Sequence, residues 1–150
     1  MTLKTFLLVL FVLCVFLGCS STAAKKSGGL GVTDGRLAPC PDSPNCVSSQ
    51  AEDEAHRVAP LPLEDSPADA MDRIVSCLMA IPRVTLVTRT DTYLHAEVRS
   101  ALFRFVDDVE VSIDEAGQTI HFRSASRTGH SDLGVNRKRV ERLKQKVLAR

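Results

Sequence analysis

The sequence lacks a charge excess. Of 150 residues, 19 are Lys or Arg and 18 are Asp or Glu. Removing residues 1–18 takes Lys4 and no acid, which leaves 18 basic against 18 acidic residues. A neutral balance exerts no general pull on nucleic acid, and no nucleic-acid partner is expected. Zinc-ligand spacing of His or paired Cys is also missing, so neither a metal nor a cofactor is expected. There are no internal repeats and no sustained heptads. The longest uncharged apolar run, Phe6 to Leu17, is too short for an ordinary membrane-spanning helix.

That run has instead the layout of an export signal, with Lys4 ahead of it. It ends in Phe16-Leu17-Gly18-Cys19, followed by Ser20, Ser21 and Thr22. This is similar to a bacterial lipobox, in which the cysteine takes lipid such as palmitate and becomes the mature N-terminus; Phe16 stands where Leu is usual. The expected organisation is a signal peptide at 1–18, a flexible tether at 19–36 and one domain at 37–150. The expected location is the bacterial cell envelope, facing the periplasm and attached to the membrane through Cys19. Ser20 favours the outer membrane over the inner.

Three cysteines then remain, Cys40, Cys46 and Cys77, in an oxidising compartment. Cys40 and Cys46 lie in the turn-rich Cys-Pro-Asp-Ser-Pro-Asn-Cys and can close a small loop, while Cys77 falls on an apolar helix stripe. A Cys46–Cys77 bridge stays open as the alternative.

Ser66-Pro67-Ala68-Asp69 predicts a helix start, with Met71, Ile74, Leu78 and Ile81 on its core face and Pro82 as its stop. Four strands follow at Val84–Thr90, Thr92–Ser100, Phe105–Asp114 and Thr119–Ala125, three of them alternating apolar with polar. A last helix covers Leu133–Leu148, N-capped by Asp132. The fold expected is α+β: a four-stranded antiparallel sheet, two helices on its apolar face, order helix, four strands, helix. The other face carries His95, Glu97, Arg99, Glu110, His121 and Arg123, and suits a shallow site under the long Pro-rich loop that runs from Leu37 to Pro62.

Three segments, LAPCPDSPNCVSSQ at 37–50, LFRFVDDVEV at 102–111 and RSASRTGHSDLGVNRKR at 123–139, resemble an uncharacterised bacterial and plastid family, domain of unknown function 1499. The resemblance covers about residues 37–148. It implies an exported or membrane-associated protein and implies no activity, substrate or catalytic residue.

The residues themselves favour a binding module over an enzyme. Arg99, Arg104, Arg123 and Arg127 can present planar forks to a carboxylate or phosphate. Asn45, Ser48, Ser49, Ser124, Asp132 and Asn136 complete the candidate site, whose ligand is an anionic small molecule or lipid headgroup. The competing reading pairs Arg99 and Arg123 with Glu97 or Glu110, and Arg127 with Asp107 or Asp108, as ordinary sheet stabilisers. Two further alternatives are a thiol enzyme using Cys46 with His95 or His121, oriented by Asp108, and a structural lipoprotein docking to an unknown protein partner. Ser48 and Ser49 lack a nucleophile elbow, and no catalytic residue is assigned. The basic last helix (Arg137, Lys138, Arg139, Arg142, Lys144, Lys146, Arg150) is either a solvated face or a contact for anionic headgroups.

Overall fold

A computed structural model describes residues 29–149. The expected signal segment, Cys19 and residues 20–28 of the expected tether lie outside the described residues. Helix α1, Pro67–Met79, begins as its sequence requires. The Ser66 hydroxyl accepts the Asp69 amide and donates to the Asp69 carboxylate, satisfying an amide that the first turn leaves over. Ala70, Met71, Ile74 and Leu78 are buried along one stripe.

Strands β5 (Val84–Arg89), β6 (Tyr93–Arg99), β7 (Val106–Asp114) and β8 (Thr119–Ser126) form an antiparallel meander. The expected four-stranded sheet with helices on one face is overturned. The sheet has six strands, because β3 (Cys46–Ser48) and β4 (Leu61–Pro62) both pair with β8. The physical reason is the outer edge of β8. Left open, it would present a row of unpaired backbone groups, and two short pieces of the Pro-rich loop cover it. Strands of two or three residues are too brief to show alternation, so the sequence pattern hides them.

Residues 29–36 also depart from the flexible tether expected for 19–36. Strands β1 (Val32–Thr33) and β2 (Arg36–Leu37) form a hairpin closed by Asp34 and Gly35, at φ of 50° and 74°. Positive φ at both central positions is what a two-residue hairpin turn demands, and Asp-Gly supplies it. Gln50 holds this hairpin, accepting the Leu37 amide at 2.8 Å and donating to the Gly35 carbonyl.

Helix α2, Val135–Leu148, starts two residues later than expected. Its N-cap is Gly134 at φ 77°, not Asp132. The Asp132 carboxylate still serves the helix end, accepting the amides of Gly134 at 2.9 Å and Asn136 at 2.6 Å. Val140, Leu143 and Val147 join the stripe of α1 and the sheet residues Leu94, Ala96, Val98, Val109, Val111, Ile113, Ile120 and Phe122 in one core. Each buried Val, Leu, Ile, Met or Phe among them contributes about 1.5–3 kcal/mol. Cys40 and Cys46 form a disulfide, and Cys77 is a free, partly buried thiol.

Candidate functional site

The polar face of the sheet brings Arg99, Arg123 and Arg127 together and then occupies them. Strand register places Glu110 opposite Arg123 on β8, and both side chains are fully buried. Arg123 donates to Glu110 at 2.8 Å, while the other Glu110 oxygen accepts the Tyr93 hydroxyl at 2.8 Å and the Gly31 amide at 2.7 Å. The N-terminal hairpin is thus bonded to the carboxylate at the centre of the face. Burial, and then the hydrogen bond to the Glu110 carboxylate, push the Tyr93 hydroxyl well above the usual tyrosine range.

A second chain of charges runs beside the first. Asp108 accepts His95 Nε2 at 2.8 Å and two nitrogens of Arg127 at 2.9 and 2.7 Å. Arg127 also reaches Glu97 at 2.6 Å, and Arg99 donates to the other oxygen of Glu97 at 2.9 Å. Burial raises the Asp108 carboxyl, but hydrogen bonds and charge from Arg127 and His95 outweigh it and hold Asp108 below its ordinary range. The same bond to Asp108 is the main cause that raises Arg127.

Asn45, Ser124 and Asn136 meet as well, in a buried lock on the helix side of the sheet. Asn136 Oδ1 accepts the Ser124 hydroxyl at 2.6 Å and Arg139 at 2.5 Å; its Nδ2 donates to the Asn45 carbonyl and the Ser126 hydroxyl, each at 3.0 Å. Arg139 continues to Asp107 at 2.6 Å. This one amide ties loop, strand and helix together. Ser48 is buried and accepts the Gln50 amide. Ser49 Oγ lies 3.1 Å from His121 Nδ1 but also accepts the Phe122 amide, and among the described residues no carboxylate bonds the other ring nitrogen. This does not make a triad. Cys46 is closed in its disulfide, and His95 is committed to Asp108, so the thiol–imidazole arrangement has no thiol.

Of the predicted arginines, Arg104 alone has no side-chain partner among the described residues; it sits exposed in the β6–β7 loop, apart from the others. The unpartnered cations gather elsewhere. A groove of about 450 Å³ opens between the turn that joins α1 to β5, the end of β6, and the stretch of α2 from Val135 to Lys146. Arg83, Lys138, Arg142 and Lys146 line it, with Ile81, Pro82, Val98, Val135 and Leu143 as its apolar wall. The side chains of Lys138, Arg142 and Lys146 have no bonding partner among the described residues, and Arg83 is engaged only with the Arg99 carbonyl. The one lining acid, Asp107, is taken by Arg139. A larger recess of about 530 Å³ lies under the hairpin, but Glu52 and Asp53 line it with Arg36, so it holds no excess of cations.

Sequence reading places the candidate site on strand-face arginines and does not single out this groove. The signal for it is the spacing of positions 138, 142 and 146, which puts three cations on one line of a helix. Arg83 gives no comparable signal, because its place depends on where α1 ends.

A family profile described as "Protein of unknown function (DUF1499)" matches residues 36–147. No curated protein matches the chain.

Two outcomes test the buried network. Arg123→Met strands the Glu110 carboxylate without its arginine and is expected to cost about 3–5 kcal/mol in urea unfolding, with Glu110→Gln in the same chain recovering part of it; a loss below about 1 kcal/mol would show that the pair carries little. Tyr93 is the only tyrosine, so phenolate absorbance reads it directly. Its raised value favours the protonated folded state, a contribution fully present below the unfolded value of about 10 and lost as pH rises through the folded one. Phenolate should therefore appear together with unfolding and not as a separate step near pH 10.

Proposed function

From the premise that the chain belongs to the DUF1499 family, we propose that it is a lipid-anchored envelope protein whose domain is a non-catalytic module. The module binds an anionic ligand, one bearing phosphate or carboxylate, in the groove between α1 and α2. The observation that carries this reading is the set of cations Lys138, Arg142 and Lys146, unpaired among the described residues, converging with Arg83 on an apolar-walled groove. A cluster of like charges with no counter-ion repels itself, and an anion relieves that repulsion. Arginine and lysine supply the donors that phosphate and carboxylate oxygens accept.

The apolar wall favours a ligand with a hydrocarbon or ring body beside its charge. Anchoring is supported by the Gly18-Cys19 junction behind a short apolar run. The strand-face arginines enter this reading as the rigid floor of the domain, since acids already satisfy Arg99, Arg123 and Arg127. An enzymatic reading gains no support from the closed Cys46 and the untriaded Ser49–His121 contact.

Phosphorylated and carboxylated amphiphiles are expected to raise the melting temperature of the full chain in detergent. The shift should fall with added salt and disappear in Lys138→Gln/Arg142→Gln. A broad anionic panel that leaves melting unchanged would end the binding proposal. Metabolic labelling with palmitate should mark the wild-type chain and not Cys19→Ala; equal labelling of both would remove the anchor from the proposal.

A further inference from the structure

The end of the domain above the basic groove exposes large apolar side chains to solvent. In the loop between β6 and β7, Leu102 is 79% and Phe103 70% exposed. In the loop between β8 and α2, Leu133 is 86% exposed. Strand register brings the two loops to the same end, since Arg99 pairs with Val106, Asp107 with Ser126, and the Arg127 amide donates to the Val106 carbonyl. The first loop is closed by its own bonds, Ser100 amide to Phe105 carbonyl and Phe105 amide to Ser100 hydroxyl, and the Phe103 and Phe105 rings stack with centroids 5.5 Å apart. Phe103 is thus held outward by ordered structure.

We propose that this end inserts into the interfacial layer of an anionic bilayer, with the loop tips carrying Leu102, Phe103 and Leu133 in the acyl boundary and the flanking cations at headgroup level. Three observations choose a bilayer as the occupant. The apolar groups stand on convex loop tips, a shape that a deformable hydrocarbon layer accepts without a complementary pocket. Arg104 stands in the first loop itself and Lys138 one turn into the helix that follows Leu133, with Arg142 and Lys146 further along that helix; none of these four side chains has a bonding partner among the described residues. Apolar tips backed by cations complement a surface that is hydrocarbon inside and negative outside. Finally, the ten residue steps from Cys19 to Gly29 can span up to roughly 35 Å, enough for a chain anchored at Cys19 to turn this end toward the membrane. The proposal goes beyond the groove's ligand. It uses the groove cations only as bordering charge, so it stands whether or not a soluble anion binds.

The sequence contains no tryptophan, so Phe103→Trp introduces a single reporter at an exposed position. The full-length variant is reconstituted in vesicles of phosphatidylglycerol with phosphatidylethanolamine, and in vesicles of phosphatidylcholine, with brominated acyl chains as quenchers. Insertion predicts a blue shift and quenching of the indole at position 103 in the anionic vesicles. Both effects should weaken in phosphatidylcholine and in the added triple change Lys138→Gln/Arg142→Gln/Lys146→Gln. Asp91→Trp, on the exposed turn at the opposite end of the sheet, should stay water-like and unquenched. The proposal is overturned if the indole at 103 remains in water in anionic vesicles, or if the one at 91 is quenched instead. It is equally overturned by a blue shift at 103 without lipid quenching, which would place a second copy of the chain or another protein on the tips.

Discussion

Everything else in this domain depends on two carboxylates that have been taken out of water in the middle of a sheet. Glu110 and Asp108 occupy the side of β7 away from the helices, and neither is accessible enough for water to solvate it. A buried charge is tolerated only when paired and hydrogen-bonded. Arg123, Tyr93 and the Gly31 amide meet that demand for one, and His95 with Arg127 for the other. The N-terminal hairpin over the sheet follows from the same demand, because Gly31 supplies a donor that no strand provides. A face of alternating polar residues is usually read as a wet surface. Here it is a second, ionic interior.

Much of this was legible in the residues. The capped start at Ser66, the β5–β8 meander and the stripe of α2 follow from local spacing, which needs no knowledge of what lies across the fold. The pairing of Arg127 with Asp108 and of Arg123 with Glu110 was visible as one of two readings. Spacing alone could not choose between them, since an arginine beside an acid looks the same whether the pair is sealed or open. What hid the answer was the lid. Cys46–Ser48 and Leu61–Pro62 are too short to carry a period, and the Asp34-Gly35 turn sits in a stretch whose composition resembles a linker. The site was harder still. Lys138, Arg142 and Lys146 advertise a helical line, yet only the end of α1 at Ala80 and the turn at Arg83 make that line one wall of a groove.

The two sides of the charge inventory therefore do different work. Internal pairing consumes the arginines of the sheet and fixes the platform. The cations left over lie on α2 and beside the loop tips, where nothing within the described chain neutralises them. Asn136 is the joint between these halves: its single amide bonds the Pro-rich loop, β8 and, through Arg139, the start of β7. That joint sets the position of the first turns of α2, and with it the groove.

The bond from Gly31 to Glu110 has a mechanical meaning too. Any pull arriving along the chain from its N-terminal side meets the domain at that amide, two bonds away from the arginine that neutralises the carboxylate. Such a pull would begin by stripping a donor from the electrostatic centre, not by fraying a peripheral loop. Tension and the solvation of a buried charge are thereby joined at one residue, and a domain trimmed to the family boundary at position 36 would lose that coupling along with the hairpin's first strand.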